Sequence, residues 1–318
     1  MSEGTVGNVL RALLGSHAPV SVNSIHGGFS GTRLWRIVSG RDLCLRKWPG
    51  GRSVADLRAI HNLTRLARKT GLPFVPAPIA TTEHSGHAWD LVEWLPGTAD
   101  YWQHPTSSRL EAASVALAQL HCAWQPRSPT FGRCPAVTRR LNAATAWQRL
   151  VGSGWRPVFA AGDPVTPWAV RAWRLAPAII AKVPDELRLY CDVEVSVQPC
   201  LCDIWHDHVL FTGNSVSGLI DYGSVKHDHV GVDVARMLGD LVGDDEERWA
   251  TGIAAYRRVS TFSDRDVALS RALDRTGVAI GLANWLTWLY CDERVYHDRH
   301  AVARRLSSLV HRAEALSV

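Results

Sequence analysis

Apolar positions repeat in two rhythms along this chain, and the rhythm changes near Pro96-Gly97. Before that point short alternating runs dominate, the two-residue period of half-buried strands; after it apolar positions recur every three or four residues, as on one helix face. The first part opens with a helical pattern over residues 6–14, followed by strand-like runs over 20–26, 33–38 and 43–48. Residues 53–69 read as a helix: Ser53 is a good N-cap, Leu57, Ile60, Leu63, Leu66 and Ala67 form its apolar stripe, and Gly71 ends it. Pro73, Pro76 and Pro78 carry the chain into a short run at 79–81, and residues 87–95 form the last strand before Pro96-Gly97. Beyond it the pattern predicts helices over 109–124, 137–150, 167–182, 246–260, 264–289 and 300–315. Residues 151–164, rich in Gly and Pro, read as a loop. Val209-Leu210-Phe211 and residues 216–220 flank Thr212-Gly213-Asn214-Ser215 and read as a β-hairpin.

Two domains are expected from this change of texture, 1–96 and 97–318, and 318 residues give each a substantial core. With 46% hydrophobic and 20% charged residues the composition is that of an ordinary globular protein. No apolar run approaches the roughly 20 residues that cross a bilayer, and the opening residues lack the basic start of a signal peptide, so no membrane partner and a cytoplasmic location are expected. Seven cysteines without a repeated spacing argue against a disulfide framework and read as small buried apolar residues. The net charge of +5 is spread along the chain, so nucleic acid is not expected as a partner. Fourteen tryptophans read mainly as packing residues. Oligomeric state has no signature in the sequence.

The candidate chemistry lies at the hairpin. Asp203 precedes it and Asp221 leaves it, and antiparallel pairing sets the entry of one strand beside the exit of the next, so the two carboxylates should meet at one end of the ribbon. Such a pair suits phosphoryl transfer: one carboxylate orients an attacking hydroxyl and accepts its proton, and the other holds the magnesium that bridges nucleotide phosphates. The segment Leu201-Cys202-Asp203-Ile204-Trp205-His206-Asp207-His208, with Ile220-Asp221-Tyr222-Gly223 after it, resembles the aminoglycoside phosphotransferase and choline kinase group. That group's catalytic loop reads H-G-D-x-H-x-x-N and its metal motif I-D-F/W-G-D. Here Leu201, Cys202, Trp205 and His208 stand where the group has His, Gly, His and Asn, and Ser224 stands where its metal motif often ends in Asp.

The resemblance implies an α+β, bilobal, protein-kinase-like fold, with a small antiparallel-sheet lobe carrying one main helix and a larger, mostly helical lobe. It implies ATP and Mg2+ as cofactors and a small-molecule hydroxyl as acceptor, with Asp203 as base, Asp221 as metal ligand, and His208 and Asp207 as auxiliary ligands. Gly27, Gly28, Phe29, Ser30, Gly31 and Thr32 match the group's phosphate-covering glycine turn, where backbone N–H groups approach oxygens without a Cβ in the way. Arg46 takes the position of the strand cation, on the same face as Cys44, with Lys47 pointing to the other side. The group's helix carries a Glu that pairs with that cation, yet no Glu occurs between Ser53 and Lys69; Ala59 and His61 stand near its place. Glu93, Trp94 and Leu95 match the hinge that binds adenine through backbone groups. Asp233, in a run resembling D-x-x-x-D-L-A, is expected to brace the catalytic loop, and His121 reads as a packed core histidine.

Two other functions fit parts of the same pattern. Loss of the helix Glu and of the catalytic-loop Asn would suit a kinase-like binding protein without turnover. Histidines at i and i+2 in His206-Asp207-His208 and His227-Asp228-His229 would share a face if each segment were a strand, as in a transition-metal hydrolase.

Overall fold

The computed structural model describes residues 3–15, 21–25 and 28–316. Along it run α1 (Glu3–Leu14), β1 (Ser21–Ile25), β2 (Arg33–Val38), β3 (Asp42–Lys47), α2 (Val54–Lys69), β4 (Pro78–His84), β5 (His87–Glu93) and α3 (Ser107–Trp124). Then come β6 (Thr130–Arg133), α4 (Pro135–Gly152), α5 (Thr166–Ala181), the short α6 (Val183–Leu187) and β7 (Glu194–Cys200). The hairpin β8 (Val209–Thr212) and β9 (Ser215–Leu219) precedes β10 (Lys226–Asp228), α7 (Gly231–Val242), α8 (Glu246–Arg257), α9 (Asp264–Tyr290) and α10 (Arg299–Ala315). Strands β6, β7 and β10 were not legible in the sequence: two are very short, β7 carries Pro199, and their antiparallel partners lie far apart along the chain. Parts of the first expected strand, Val20 and His26, lie outside the described residues.

The chain packs as two compact units, Met1–Trp124 with Ile204–Val225, and Gln125–Asp203 with Lys226–Val318. In the first, an antiparallel sheet runs in the order β1-β2-β3-β5-β4. One face of this sheet is apolar: Trp35, Ile37, Leu43, Leu45, Trp89 and Leu91 bury Val6, Val9 and Leu10 of α1. The two-residue alternation places Arg46 and Asp90, paired across β3 and β5, on the other face. There Trp48 and Ala88 meet Leu57 of α2. Helix α2 starts at a capping box in which Ser53 and Asp56 satisfy each other's backbone N–H. Its buried residues are Leu57, Ile60, His61, Thr64 and Ala67. Leu66, expected in the stripe, is exposed, because the buried face follows i, i+3, i+4, i+7 from Leu57 and 66 lies off that line.

Helix α3 and the β8–β9 hairpin belong to this unit. The Trp124 indole donates to the Leu63 carbonyl at 2.9 Å, and Arg109 Nε donates to the Gly213 carbonyl, in the hairpin turn, at 2.9 Å. The packing division therefore falls after α3, whereas the change of rhythm falls at Pro96-Gly97. At that turn Gly97 has φ +102°, and a Cβ there would stand 2.2 Å from Ser217 Oγ and 2.7 Å from the Phe211 carbonyl oxygen. Only glycine fits so close an approach in that conformation.

In the second unit a three-stranded antiparallel sheet, β10-β7-β6, accompanies helices α4 to α10. Trp147, Trp155 and Trp173 pack edge-to-face, with ring centroids 5.7 to 5.9 Å apart. Asp245 caps α8 and Ser263 caps α9, the latter in a second capping box with Asp266. No helix among the described residues is long and apolar enough to cross a membrane. The seven cysteines are all free, but Cys122 and Cys291 are exposed, which corrects the expectation that the thiols are all buried packing residues.

Candidate active site

In the second unit the chain leaves β7 through Leu201 and Cys202, whose N–H groups donate to Asp233 Oδ2 and Oδ1 at 2.6 Å each. Cys202 has φ +62°, a conformation uncommon for a residue with a Cβ, and the double grip of Asp233 holds it there. The brace expected of Asp233 is thus present in hydrogen bonds. The bend turns Asp203 outward: its side chain is 46% exposed and accepts from Arg236 Nε at 3.1 Å and Nη2 at 2.9 Å. Asp233, Arg236 and Asp240 follow the i, i+3, i+7 line of α7, and Asp240 in turn holds Arg305 at 2.6 Å. Sequence reasoning missed Arg236, although its place one turn beyond Asp233 was a readable signal. Burial pushes the Cys202 thiol up to about 12, with the charge of Asp233 adding to it, so this cysteine is no nucleophile near neutral pH.

In the first unit, residues His206–His208 form a 3-10 turn and not a strand. The two imidazoles therefore do not share a face, and the geometry assumed for the hydrolase reading is lost at this segment. The His206 ring stacks on Trp102 with centroids 3.4 Å apart, and Asp207 Oδ1 lies 3.2 Å from His206 Nε2. His208 Nε2 accepts the Trp205 indole N–H at 2.9 Å and lies 3.5 Å from Asp221 Oδ2. In the second unit His229 is taken by a different partner, Asp266, at 3.2 Å, and its ring accepts the Gly231 N–H.

Asp221 follows β9 in the left-handed region, φ +61°, with Oδ1 accepting the Gly223 N–H at 3.1 Å. Gly223 is required by a close approach: a Cβ there would meet the Trp48 ring at 2.8 Å. Arg52 Nη2 donates to the Gly223 carbonyl at 2.5 Å, so the turn rests on Trp48 and Arg52 together. Tyr222 is buried edge-on to Trp124. Asp221 itself stays 43% exposed, a hard oxygen donor of the kind Mg2+ prefers, and Asp207 is the other exposed carboxylate nearby in sequence. For His208 to bind an ion through Nε2, Trp205 would have to release that nitrogen.

The residues matched to nucleotide binding also lie in this unit, except Gly27, which is outside the described residues. Gly28, Ser30 and Gly31 are exposed, Phe29 and Thr32 partly so, and a Cβ at Gly28 or Gly31 would meet nothing within 4 Å. Gly31 takes φ +76°, and Ser30 Oγ donates to Thr32 Oγ1 at 3.1 Å. A pocket of about 400 Å3 opens beside Gly31, and Arg33 and Lys47, cross-strand partners on the sheet face opposite Arg46, line it together with His87. Arg46 is buried, its guanidinium bonded to Asp90 and carried over the Trp48 ring at 5.1 Å. Burial disfavours its charge, and Asp90 beside it more than reverses this, holding Arg46 more firmly protonated than usual. Arg46 is therefore not a solvated edge charge. At the matched hinge the Glu93 N–H donates to the Ala77 carbonyl and the Trp94 N–H to the Asp42 carbonyl, while Leu95 is buried.

Residues 21–268 match the model of the phosphotransferase enzyme family. The chain belongs to that family. The match contains Asp203, Asp221 and Asp233, and the relatives of this phosphotransferase-family chain point the same way. The homoserine kinase of Nitrobacter winogradskyi is 30% identical over 193 residues, 59% of this chain and 51% of that protein. The homoserine kinase of Methylorubrum populi is 26% identical over 252 residues, 74% of this chain and 71% of that one. The chain thus spans about half the length of the first of these relatives. A spectinomycin phosphotransferase solved with ADP and spectinomycin superposes with a TM-score of 0.71 over 99% of this chain and 98% of its own, at 11% identity. An amicoumacin kinase solved with AMP-PNP and Ca2+ gives 0.64 over 98% and 93%, at 12% identity. At such identities the likeness establishes the fold, the α+β protein-kinase-like one expected from the sequence.

Proposed function

We propose that this chain transfers the γ-phosphate of Mg·ATP to a hydroxyl of a small molecule, with Asp203 orienting that hydroxyl and accepting its proton. Asp221 would hold the metal, with Asp207 as a second oxygen donor and His208 as a brace. The glycine turn at 28–32 would cover the phosphates and the segment Glu93-Trp94-Leu95 would meet the base, so that 1–96 serves the nucleotide and 97–318 the acceptor. The observation that carries the reading is the grip of Asp233 on the loop amides of Leu201 and Cys202, which fixes the backbone from which Asp203 projects, half exposed. Preorganisation of this kind is what positioning catalysis requires. A cytoplasmic site of action belongs to the same proposal and agrees with free thiols.

The relatives named homoserine kinase make hydroxy amino acids the first acceptors to try, and Arg236 on Asp203 supports an acceptor with an anionic group over a polycation. The test is thermal stabilisation by ATP, by Mg2+ and by both, followed by ADP release with a panel of homoserine, other hydroxy acids and spectinomycin. Stabilisation by Mg·ATP beyond either component and acceptor-dependent ADP release are expected; no effect of Mg·ATP on stability would overturn the reading. The second reading, a binding protein without turnover, is favoured by one feature, the capture of His208 by Trp205. It predicts the same stabilisation with no ADP release from any acceptor.

A further inference from the structure

The carboxylate of Asp90 is fully buried between the sheet and α2, and polar groups of both converge on it. Arg46 donates to it through Nε at 2.9 Å and Nη2 at 2.5 Å, and Trp48 through its indole at 2.8 Å; His61 Nε2 of α2 lies 2.9 Å away. His61 is itself buried, and among the described residues its other ring nitrogen has no hydrogen-bond partner, so its polar contact there is with Asp90. Trp48 is the surface against which Gly223 packs, and its ring also carries Arg52, which holds the Gly223 carbonyl. A continuous chain of contacts thus runs from Asp90 through Trp48 to the turn that presents Asp221.

We infer that Asp90 is a positioning residue for the metal side of the site: it fixes Arg46 and Trp48 from the strand, and through Trp48 sets the Asp221-Tyr222-Gly223 turn. Helix α2 contributes an imidazole in place of an acid, so the carboxylate that neutralises Arg46 comes from β5. Without it a buried guanidinium would lose its counter-charge and the indole its acceptor, and Trp48 would be free to turn away from Gly223. The inference rests on the reading of Asp221 as the metal ligand.

The experiment pairs Asp90→Asn with Trp48→Phe, which removes the indole N–H together with the outer ring edge, Cζ3 and Cη2, that lies against Gly223, and serves where the first variant folds poorly. Amide hydrogen exchange without any ligand is read at Gly223 and Val225 and compared with the β8–β9 hairpin. Exchange at the turn should quicken at least tenfold in both variants while the hairpin is unchanged. With substrates present, the Mg2+ concentration for half-maximal activity and the KM for ATP should rise about tenfold or more, with acceptor KM unchanged. His61→Glu in the Asp90→Asn background returns a carboxylate to the same contact from the helix and should restore both readouts to within a few-fold. Turn exchange equal to wild type in folded variants would overturn the inference, as would a rise in acceptor KM equal to that for ATP. Because the exchange measurement needs no nucleotide, failure of the kinase reading in the wild type is seen separately.

Discussion

At the residue scale, the site is built by carboxylates that each accept more than one donor. Asp233 takes two backbone amides and Asp203 takes two N–H groups of one guanidinium, so geometry is fixed before any substrate arrives. Replacing Asp203 by Asn keeps the size of the side chain and removes its basicity; turnover should fall about 10²- to 10⁴-fold, while the melting temperature stays within a few degrees. Steady-state kinetics with the acceptor found in the panel, beside a thermal melt, checks both halves of that expectation. Gly97→Ala should act in the opposite way, on stability. Its Cβ would collide with Ser217 Oγ and the Phe211 carbonyl at φ +102°, which should cost about 1–3 kcal/mol in chemical denaturation. Asp203 and Asp221 could be singled out because they flank a recognisable hairpin, and Asp233 because its run resembles a known helix motif. Asp90 was not, since nothing along β5 distinguishes it until β3 is laid beside that strand and α2 over it.

At the scale of elements, periodicity located most helices to within a few residues, but not their rotation. Helix α2 shows why. Its apolar residues allow more than one stripe, and the face that packs carries Leu57, Ile60, His61, Thr64 and Ala67, with Leu57 against Trp48 and Ala88 and His61 against Asp90. Leu57→Ala should therefore cost about 2–5 kcal/mol, whereas Leu66→Ala, at an exposed position, should change the urea midpoint little. The same logic holds at the catalytic segment: the hydrolase reading needed a strand through His206 and His208, but the stacking of His206 on Trp102 and the bond from Trp205 to His208 go with a 3-10 turn. Short polar-aromatic stretches carry no period strong enough to outweigh such contacts.

At the scale of the whole molecule, each unit is assembled from two stretches of chain. A fragment ending at Trp124 would lack the hairpin, and with it the Phe211 and Thr98 backbone pairing, the Arg109 bond to Gly213 and the Leu219 bond to Phe74. Such a fragment should not fold cooperatively, a result that a circular-dichroism melt would show as the absence of a sharp transition. One contribution to acid stability comes from a partly buried network at the start of α9. Burial raises the Asp266 carboxyl, but hydrogen bonds from His229 and from Ser263 outweigh it and bring the group down to about 2. A carboxyl depressed in the folded state stabilises above its unfolded value, about 3.9, and that contribution is lost as pH falls from there through about 2. Asp266→Asn should flatten the fall of the urea midpoint over that window and leave its slope near pH 7 unchanged.

The sequence by itself determined the order of elements, the hairpin flanked by two aspartates, and the glycines that its turns demand, because periodicity, turn chemistry and motif spacing are local properties of the chain. Tertiary structure decided which carboxylate neutralises Arg46, which arginine meets Asp203, which face α2 buries and where one packed unit ends. Those outcomes depend on residues tens of positions apart being brought within 3 Å of each other, and no local pattern records such distances.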